Sequence, residues 1–384
     1  MSIQCQFPGV RWIGFGAISY VYKVHRCIVV KVPKSGEFER EQFDRELEIY
    51  QIFSRHPPCP SVVQCFFYSD NGIFLEYMRD VSLSARIQNN HIRDCQTRIV
   101  TKVEKLEPLS LRKEWINDLA QAVAFLESLN LAHGDLRPEN ILLDGNRLKL
   151  SDFDCAAEIG TNFEACVAPY GRILNGNETD QGQRGTSGFL GPRTEQFALG
   201  SLYYLINYGF EVYEDRCLTE DSKEHGPKVV DFLQNMEFPN LDGDPLIDDI
   251  IDKCWHNKYA TVVELAAHTA TLLTYRTNQE GTPPDTTFIT QLHMVVCRII
   301  NGIWSSFGDW WTLVCQTNGK VTNTEQSNGR EPNSNSYNVD QAYLTEDFLS
   351  KKAFCQNLEK CELPRLLSSD EPERLGFTLE WHSS

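Results

Sequence analysis

Two carboxylates and one amide in the middle of the chain have the spacing that a phosphoryl transfer would use. Asp135 and Asn140 stand five residues apart in the run HGDLRPEN at 133–140. Asp152 follows 17 residues after Asp135, in the run SDFD at 151–154. A carboxylate can accept the proton of an attacking hydroxyl, and the oxygens of Asn and Asp side chains are ligands of Mg²⁺. The spacing therefore predicts a metal-assisted phosphoryl transfer centred on the loop around Asp135.

A glycine pair near the start of the chain could approach the phosphates of a substrate. Gly14 and Gly16 belong to the run GFGAISYV at 14–21, which lies between two predicted strands. Because glycine has no Cβ, the backbone there can come close to a ligand without a side-chain clash. A glycine pair in a hairpin is also a common turn, and this run alone leaves both interpretations open.

A lysine inside an apolar strand is the third feature. Lys31 lies ten residues after Val21, in the run VVK at 29–31. A buried ammonium group needs a partner because burying it unpaired is costly. Glu46, on the polar side of the next predicted helix, could supply that partner. The alternative is a lysine whose charged end reaches solvent, together with a solvated glutamate.

The elements that would position these residues fall into two blocks. Short runs rich in β-branched residues predict strands at 10–13, 21–25, 27–32, 61–68 and 72–76. A helix is predicted over 37–54 from apolar residues that recur every three or four positions. After Met78 helical patterns dominate up to Thr274, interrupted by two short strands at 141–143 and 148–150. A small sheet followed by a helical block predicts an α+β protein with a small β-rich N-lobe and a larger helical C-lobe.

Composition divides the chain further. We assign residues 1–78 to the N-lobe and 79–275 to the C-lobe. Asn, Thr, Ser and Gly crowd the region before 338, a composition typical of disorder, so 276–343 is predicted to be a low-complexity or inserted segment, partly disordered. Residues 344–384 are predicted to form a tail that docks on the C-lobe.

The bulk composition argues against several functions. Lys and Arg total 36 against 53 Asp and Glu, a formal net charge of −17, so a nucleic-acid partner is not expected. The start of the chain lacks a basic stretch followed by an apolar core, and the apolar run at 288–315 is interrupted by charged residues, so neither secretion nor a membrane partner is expected. The 13 cysteines show no metal or redox spacing and are expected to be buried, reduced thiols of an intracellular, cytoplasmic protein.

Taken together, the motifs resemble those of the eukaryotic protein kinase family, over about Val10 to Leu273, and in particular a fungal group of small divergent kinase-like proteins. The resemblance implies ATP and Mg²⁺ as cofactors. It implies that Gly14 and Gly16 cover the phosphates and that Val21 packs on the adenine base. Lys31 would touch the α- and β-phosphates and pair with Glu46.

The same resemblance implies roles for later residues. Leu75 would lie at the back of the adenine pocket, and the backbone of Glu76 to Met78 would face adenine. Asp135 would be the catalytic base, while Asn140 and Asp152 would hold Mg²⁺. Arg137 replaces the usual lysine that steadies the transferring phosphate, which keeps the charge and changes the donor geometry. The acceptor would be a protein hydroxyl, of the Ser/Thr type by default.

Besides Arg137, the chain departs from the family pattern at four further positions. Gly134 stands where regulated kinases have an arginine that grips an activation-segment phosphate. We therefore predict that phosphorylation does not switch the protein by that route at any of four candidate sites, Thr161, Thr179, Thr186 and Ser187. Asp154 replaces the glycine of the Asp-Phe-Gly motif; it is expected to tolerate positive φ and could add a metal ligand. Arg193 replaces a glutamate of a buried ion pair, and Glu195 replaces an aspartate that braces the catalytic loop.

Three functions remain open at the level of sequence. The first is an active protein kinase. The second is a pseudokinase that binds nucleotide or a partner without turnover. The third is a small-molecule phosphotransferase, because aminoglycoside and choline kinases share a related His-Gly-Asp loop with a later Asp pair, for which Asp152 and Asp154 are the candidates here. The runs at 14–21 and 185–192 favour a protein kinase over this third function.

Overall fold

The computed structural model describes residues 3–163, 167–176, 178, 181–219, 222–274 and 335–380. These residues form two compact units. The first comprises 3–58, 64–77 and 335–380, and the second comprises 59–63 and the described residues from 78 to 274. Most of the predicted low-complexity segment, up to residue 334, lies outside the described residues.

The first unit is built on an antiparallel sheet of five strands in the order β1-β2-β3-β5-β4. The strands are β1 Arg11–Phe15, β2 Ser19–His25, β3 Ile28–Pro33, β4 Cys65–Ser69 and β5 Gly72–Glu76. Every residue of β3 is buried, as expected for a central strand of branched apolar residues. A short helix, α1 Ile3–Gln6, precedes the sheet.

One long helix, α2 Glu37–Phe53, follows β3 and packs against it and against β4. It begins after Gly36 and ends before the Pro57-Pro58 pair, where a proline could not continue it. Phe43, Leu47 and Tyr50 form its buried face, as their spacing predicts.

The second unit is mainly helical. Its helices are α3 Leu83–Gln88, α4 Leu109–Ser128, α5 Pro192–Tyr208, α6 His225–Gln234, α7 Pro245–Trp255 and α8 Val262–Thr274. The core is formed where α4 packs on α8 and α5 packs on α7. The apolar stripe predicted for α4 is buried, including Leu111, Trp115 and Leu119. The division into a sheet unit and a helical unit agrees with the α+β prediction.

Short antiparallel strand pairs complete the second unit. The pair β9 Ile141–Asp144 and β10 Arg147–Leu150 is the hairpin that the sequence predicts. A second pair, β8 Leu131–Ala132 and β11 Ala157–Glu158, brackets the loops on either side of that hairpin. Another hairpin, β6 His91–Arg93 and β7 Val100–Val103, was not predicted. Its strands are short and polar and therefore lack a clear alternating pattern.

The C-terminal tail contradicts its prediction, because it packs on the sheet of the first unit and not on the helical lobe. It consists of α9 Asn335–Lys360, α10 Leu363–Leu367 and an extended stretch to residue 380. Its buried side chains join one apolar cluster with Ile28, Val30 and Val32 of β3. Side chains alternate along a strand, so this is the face opposite Lys31. An apolar sheet face needs a cover, and the tail supplies it.

Two smaller expectations are also settled. All ten described cysteines are free thiols, but five of them are exposed, so the expectation of general burial is wrong. The exposed thiols are Cys5, Cys95, Cys155, Cys217 and Cys361. Among the helices of the described ranges, none combines the length and the hydropathy that a membrane span requires.

Candidate nucleotide-binding and phosphoryl-transfer site

Lys31 and Glu46 form a buried ion pair in the first unit. Lys31 Nζ lies 2.6 Å from Glu46 Oε2, and the two side chains are 11% and 1% exposed. The alternative of a surface lysine with a solvated glutamate is therefore wrong. β3 holds the lysine rigidly because its neighbours β2 and β5 bond it on both edges. Glu46 thereby fixes the position of the Lys31 ammonium, a group of the kind that binds a phosphate.

The two glycines of the first hairpin are not required by the packing of the described chain. A Cβ built on Gly14 would meet no atom within 4 Å, and one on Gly16 would meet only Ser19 Oγ at 3.9 Å. Neither glycine has a positive φ. Space therefore remains above this backbone, which fits a cradle for a group that comes close to the main chain. Val21 lies directly beside Lys31 in the register of β2 and β3.

The segment from Leu75 to Met78 is only partly as predicted. Leu75 is buried in β5, opposite Val29. The N–H groups of Glu76 and Tyr77 already donate to the carbonyl oxygens of Gln64 and Cys27, at 2.8 and 3.1 Å. A contact between this segment and adenine would therefore use other backbone groups, such as those of Met78, which begins the second unit.

The loop at 133–140 in the second unit brings three of the predicted residues together. Asn140 Nδ2 donates to the carbonyl oxygen of Asp135 at 2.9 Å and to its Oδ2 at 2.8 Å. Arg137 Nε lies 3.1 Å from the same Oδ2. Because the Asn140 nitrogen makes both bonds, its Oδ1 is the atom that can ligate a cation. The loop therefore fixes a carboxylate, a guanidinium and an amide oxygen in one place.

His133 and Ser151 tie this loop to the strand that leads to Asp152. His133 is fully buried, and burial lowers its pKa, so its ring is neutral. Its Nε2 donates to the carbonyl oxygen of Ser151 at 3.0 Å, and its Nδ1 accepts the N–H of Asp135 at 3.3 Å. Ser151 donates from both its N–H and its hydroxyl to the carbonyl oxygen of Asn140, at 2.9 and 2.8 Å. These bonds cross-link the two segments that carry Asp135 and Asp152.

Gly134 is required by the structure of this loop. Its φ is +75°, in the left-handed region that favours glycine. A Cβ at this position would lie 2.6 Å from the carbonyl oxygen of Cys155, which is closer than real Cβ contacts. The loop therefore cannot carry an arginine here without moving. The sequence shows only that the arginine is missing; the steric reason depends on a contact 21 residues away.

Glu195, near the start of α5, braces the same loop although it replaces the usual aspartate. Its carboxylate accepts the N–H of His133 at 2.8 Å and the N–H of Gly134 at 3.3 Å. The side chain is buried, and burial raises the pKa of Glu195 to about 7, although the two hydrogen bonds act in the opposite direction. A glutamate in place of the usual aspartate can thus hold the loop.

The loop at 151–154 has its positive φ at Asp152, at +63°, and not at Asp154. The tolerance of positive φ that was expected of Asp154 is therefore not used at that position. Among the residues that the structure describes, no three His, Cys, Asp or Glu side chains cluster as a metal site. The donor set of Asn140 and Asp152 fits Mg²⁺, which takes one or two protein oxygens and completes its shell with water and phosphate.

Other polar contacts take the place of the buried ion pair that the family has at the position of Arg193. Arg193 is buried and donates to the carbonyl oxygen of Ser187, while burial, more than the neighbouring Arg172, lowers its pKa to about 10. Gln196, fully buried, donates to Asn257 Oδ1 at 2.6 Å and accepts the N–H of Tyr259 at 3.2 Å. Sequence reasoning missed Gln196, because an amide in a helix carries no distinctive signal.

Comparison with known proteins places the chain in a family. The profile of the protein kinase domain matches residues 7–258. The chain therefore belongs to the protein kinase family, and the fold class predicted from the sequence is confirmed.

Three relatives illustrate the similarity. The probable serine/threonine-protein kinase FMP48 of Saccharomyces cerevisiae is 26% identical over 259 residues, covering 62% of this chain and 66% of the relative. CBL-interacting protein kinase 10 of Oryza sativa subsp. japonica is 23% identical over 226 residues, 53% of this chain and 44% of the relative. The human phosphorylase b kinase gamma catalytic chain, liver/testis isoform, is 32% identical over 175 residues, 41% of this chain and 40% of the relative. The matches thus span 40% to 66% of these relatives' lengths.

Proposed function

We propose that this chain is an ATP- and Mg²⁺-dependent protein kinase that phosphorylates serine or threonine hydroxyls, with Asp135 as the catalytic base. The observation that carries the proposal is the loop around Asp135, in which Asn140 and Arg137 converge on one carboxylate. The relatives named as serine/threonine kinases support this type of acceptor.

Each predicted site residue of the second unit has a chemical task in this proposal. Asp135 accepts the proton of the attacking hydroxyl, and Asn140 holds that carboxylate in place through its amide nitrogen. Arg137 offers positive charge to the transferring phosphate, as a planar fork where lysine would offer a point charge. Asn140 and Asp152 would hold the Mg²⁺ ion, which when bound neutralises charge on the phosphate oxygens.

The first unit supplies the residues for nucleotide binding. Lys31, kept in place by Glu46, would bind the α- and β-phosphates. Gly14 and Gly16 would let backbone N–H groups approach the phosphates, which agrees with the open space above them. Val21, beside Lys31, would pack on the base. The partners in this proposal are ATP and a protein substrate whose identity is unknown.

A pseudokinase is the second candidate, and one observation favours it. The carboxylate of Asp135 is already engaged by Arg137 at 3.1 Å, so the proposed base begins in an ion pair. A base in that state must exchange this partner for a substrate hydroxyl. A protein that binds ATP without turnover would keep the pair closed.

The test is transfer of label from γ-labelled ATP by the purified full-length chain with Mg²⁺. The acceptors are a Ser/Thr peptide mixture, tyrosine peptides, and choline and an aminoglycoside as small alcohols. We expect label on the Ser/Thr peptides, with loss of transfer in Asp135→Asn and no loss in Asp231→Asn, an exposed carboxylate control. Calorimetric binding of ATP without transfer to any acceptor would establish the pseudokinase, and label on a small alcohol alone would establish the third function.

A further inference from the structure

The extended end of the tail reaches the hairpin that carries the glycines. The ring of Phe377 packs edge-on against Tyr22 of β2, with centroids 5.2 Å apart, and both side chains are buried. The N–H of Glu380 donates to the carbonyl oxygen of Trp12 at 3.0 Å. β1 is the outermost strand of the sheet, so this bond joins the tail to its otherwise open edge.

Trp12 continues this connection to the glycine loop, by which we mean residues 14–19 with Gly14 and Gly16. Its indole Nε1 donates to the carbonyl oxygen of Gly14 at 2.9 Å, and the side chain is buried. The ring also packs near Phe15 and Tyr20, with centroids 6.1 and 6.3 Å away. A buried indole N–H needs an acceptor, and here that acceptor belongs to the loop itself. One residue thus joins the tail and the loop.

The strands on either side of the loop are paired as far as Gly14 with Val21 and Phe15 with Tyr20. Outside that ladder, the described backbone bonds at the tip are Gly16 N–H to Ser19 O and Lys34 N–H to Ile18 O, both at 2.9 Å. Glycine loses more conformational freedom than other residues when it is fixed. A ligand that orders this loop must therefore overcome that entropy unless the protein has already restricted the loop.

We propose that the tail residues Phe377 to Glu380 and Trp12 together form a brace that positions the glycine loop for nucleotide binding. Trp12 is a positioning residue in this arrangement, since it acts through Gly14. The brace rests on the proposed function only for its consequence, the binding of ATP. The functional kinase domain would then include the tail, more than 100 residues beyond the matched segment 7–258.

Two substitutions separate the brace from its surroundings. Glu380→Pro removes the N–H that bonds Trp12, while Glu380→Ala keeps that N–H and removes only the half-exposed ion pair with Arg11 at 3.0 Å. Trp12→Phe keeps an aromatic ring and removes the bond to Gly14. Thermal melts of the full chain confirm that each variant folds, and Trp12→Phe carries the test if the proline variant does not.

The first measurement is hydrogen exchange of the amides at 13–19 without nucleotide, and the second is calorimetric ATP·Mg²⁺ affinity. Glu380→Pro and Trp12→Phe should exchange about three- to tenfold faster in this segment, the effect of losing one hydrogen bond, and should bind ATP weaker by a similar factor. Glu380→Ala should match the wild type in both. Unchanged exchange in the two test variants would overturn the brace. If the two test variants exchange faster but the wild type itself binds no ATP, the proposed function is overturned and the brace still stands.

Discussion

Replacing Glu195 by glutamine should change how the stability of the chain depends on pH. Glu195 is buried and accepts the N–H groups of His133 and Gly134. Glutamine has nearly the same shape but only one oxygen, so one of these N–H groups would face an NH₂ donor. An unsatisfied buried donor costs about 1–3 kcal/mol. At pH 5, where the wild-type carboxyl is mostly protonated, the variant should be less stable by that amount.

The sign of the pH effect follows from the raised pKa. Burial raises the pKa of Glu195 in the folded state from 4.5 to about 7. Between these values the folded state holds a proton that the unfolded state has lost, so this stabilising contribution is present at low pH and is lost as the pH rises through 7. At roughly 1.4 kcal/mol per pKa unit, the group contributes about 3 kcal/mol in total, most of which is lost between pH 5 and pH 8.

Glutamine does not titrate, so the unfolding free energy of Glu195→Gln should not show this loss as the pH rises. The gap between the two unfolding free energies should change by about 2–3 kcal/mol in favour of the variant from pH 5 to pH 8, and the two curves should meet or cross near neutral pH. Urea unfolding at half-unit pH steps measures this, with the exposed Glu224→Gln as control. Parallel curves for wild type and Glu195→Gln would refute the reasoning.

Three further changes test other parts of the site. Lys31→Met should lower the unfolding free energy by about 3–5 kcal/mol, because Glu46 loses its partner at 2.6 Å. The control Lys102→Met, at an exposed position, should change it by less than about 0.5 kcal/mol in the same urea titration. Gly134→Ala should lower the unfolding free energy by at least about 2 kcal/mol. Gly145→Ala should lower it less, because Gly145 has a similar φ of +65° but open space where the Cβ would lie. Similar losses in the two variants would contradict the steric argument. Thr186→Ala should leave the rate of phosphate transfer within about twofold, and a large loss would show a phosphorylation switch.

Much of the site could be predicted because its residues are close in sequence. Asp135 and Asn140 share one loop, and Asp152 follows one hairpin later, so their spacing predicts a phosphoryl-transfer site and the resemblance to protein kinases implies their roles. Lys31 and Glu46 lie on consecutive elements, and apolar periodicity placed both. The roles themselves stay predictions until activity is measured.

The parts that could not be predicted depend on contacts between distant segments. The tail's place on the sheet rests on apolar residues such as Leu363 and Phe377, whose short pattern does not say which apolar face they cover. The bond from Glu380 to Trp12 joins opposite ends of the chain. The sequence indicated only that Asp154 tolerates a positive φ, whereas the structure has the positive φ at Asp152, next to the cross-link through Ser151.

The most direct test of the central claim is the initial rate of label transfer from γ-labelled ATP to Ser/Thr peptides, measured for wild type and Asp135→Asn at saturating ATP and Mg²⁺. General base catalysis contributes roughly 10²–10⁴-fold, so the asparagine variant should be slower by that factor. Equal rates in the two proteins, or no transfer by a wild type that binds ATP, would contradict the assignment of Asp135 as the base of an active kinase.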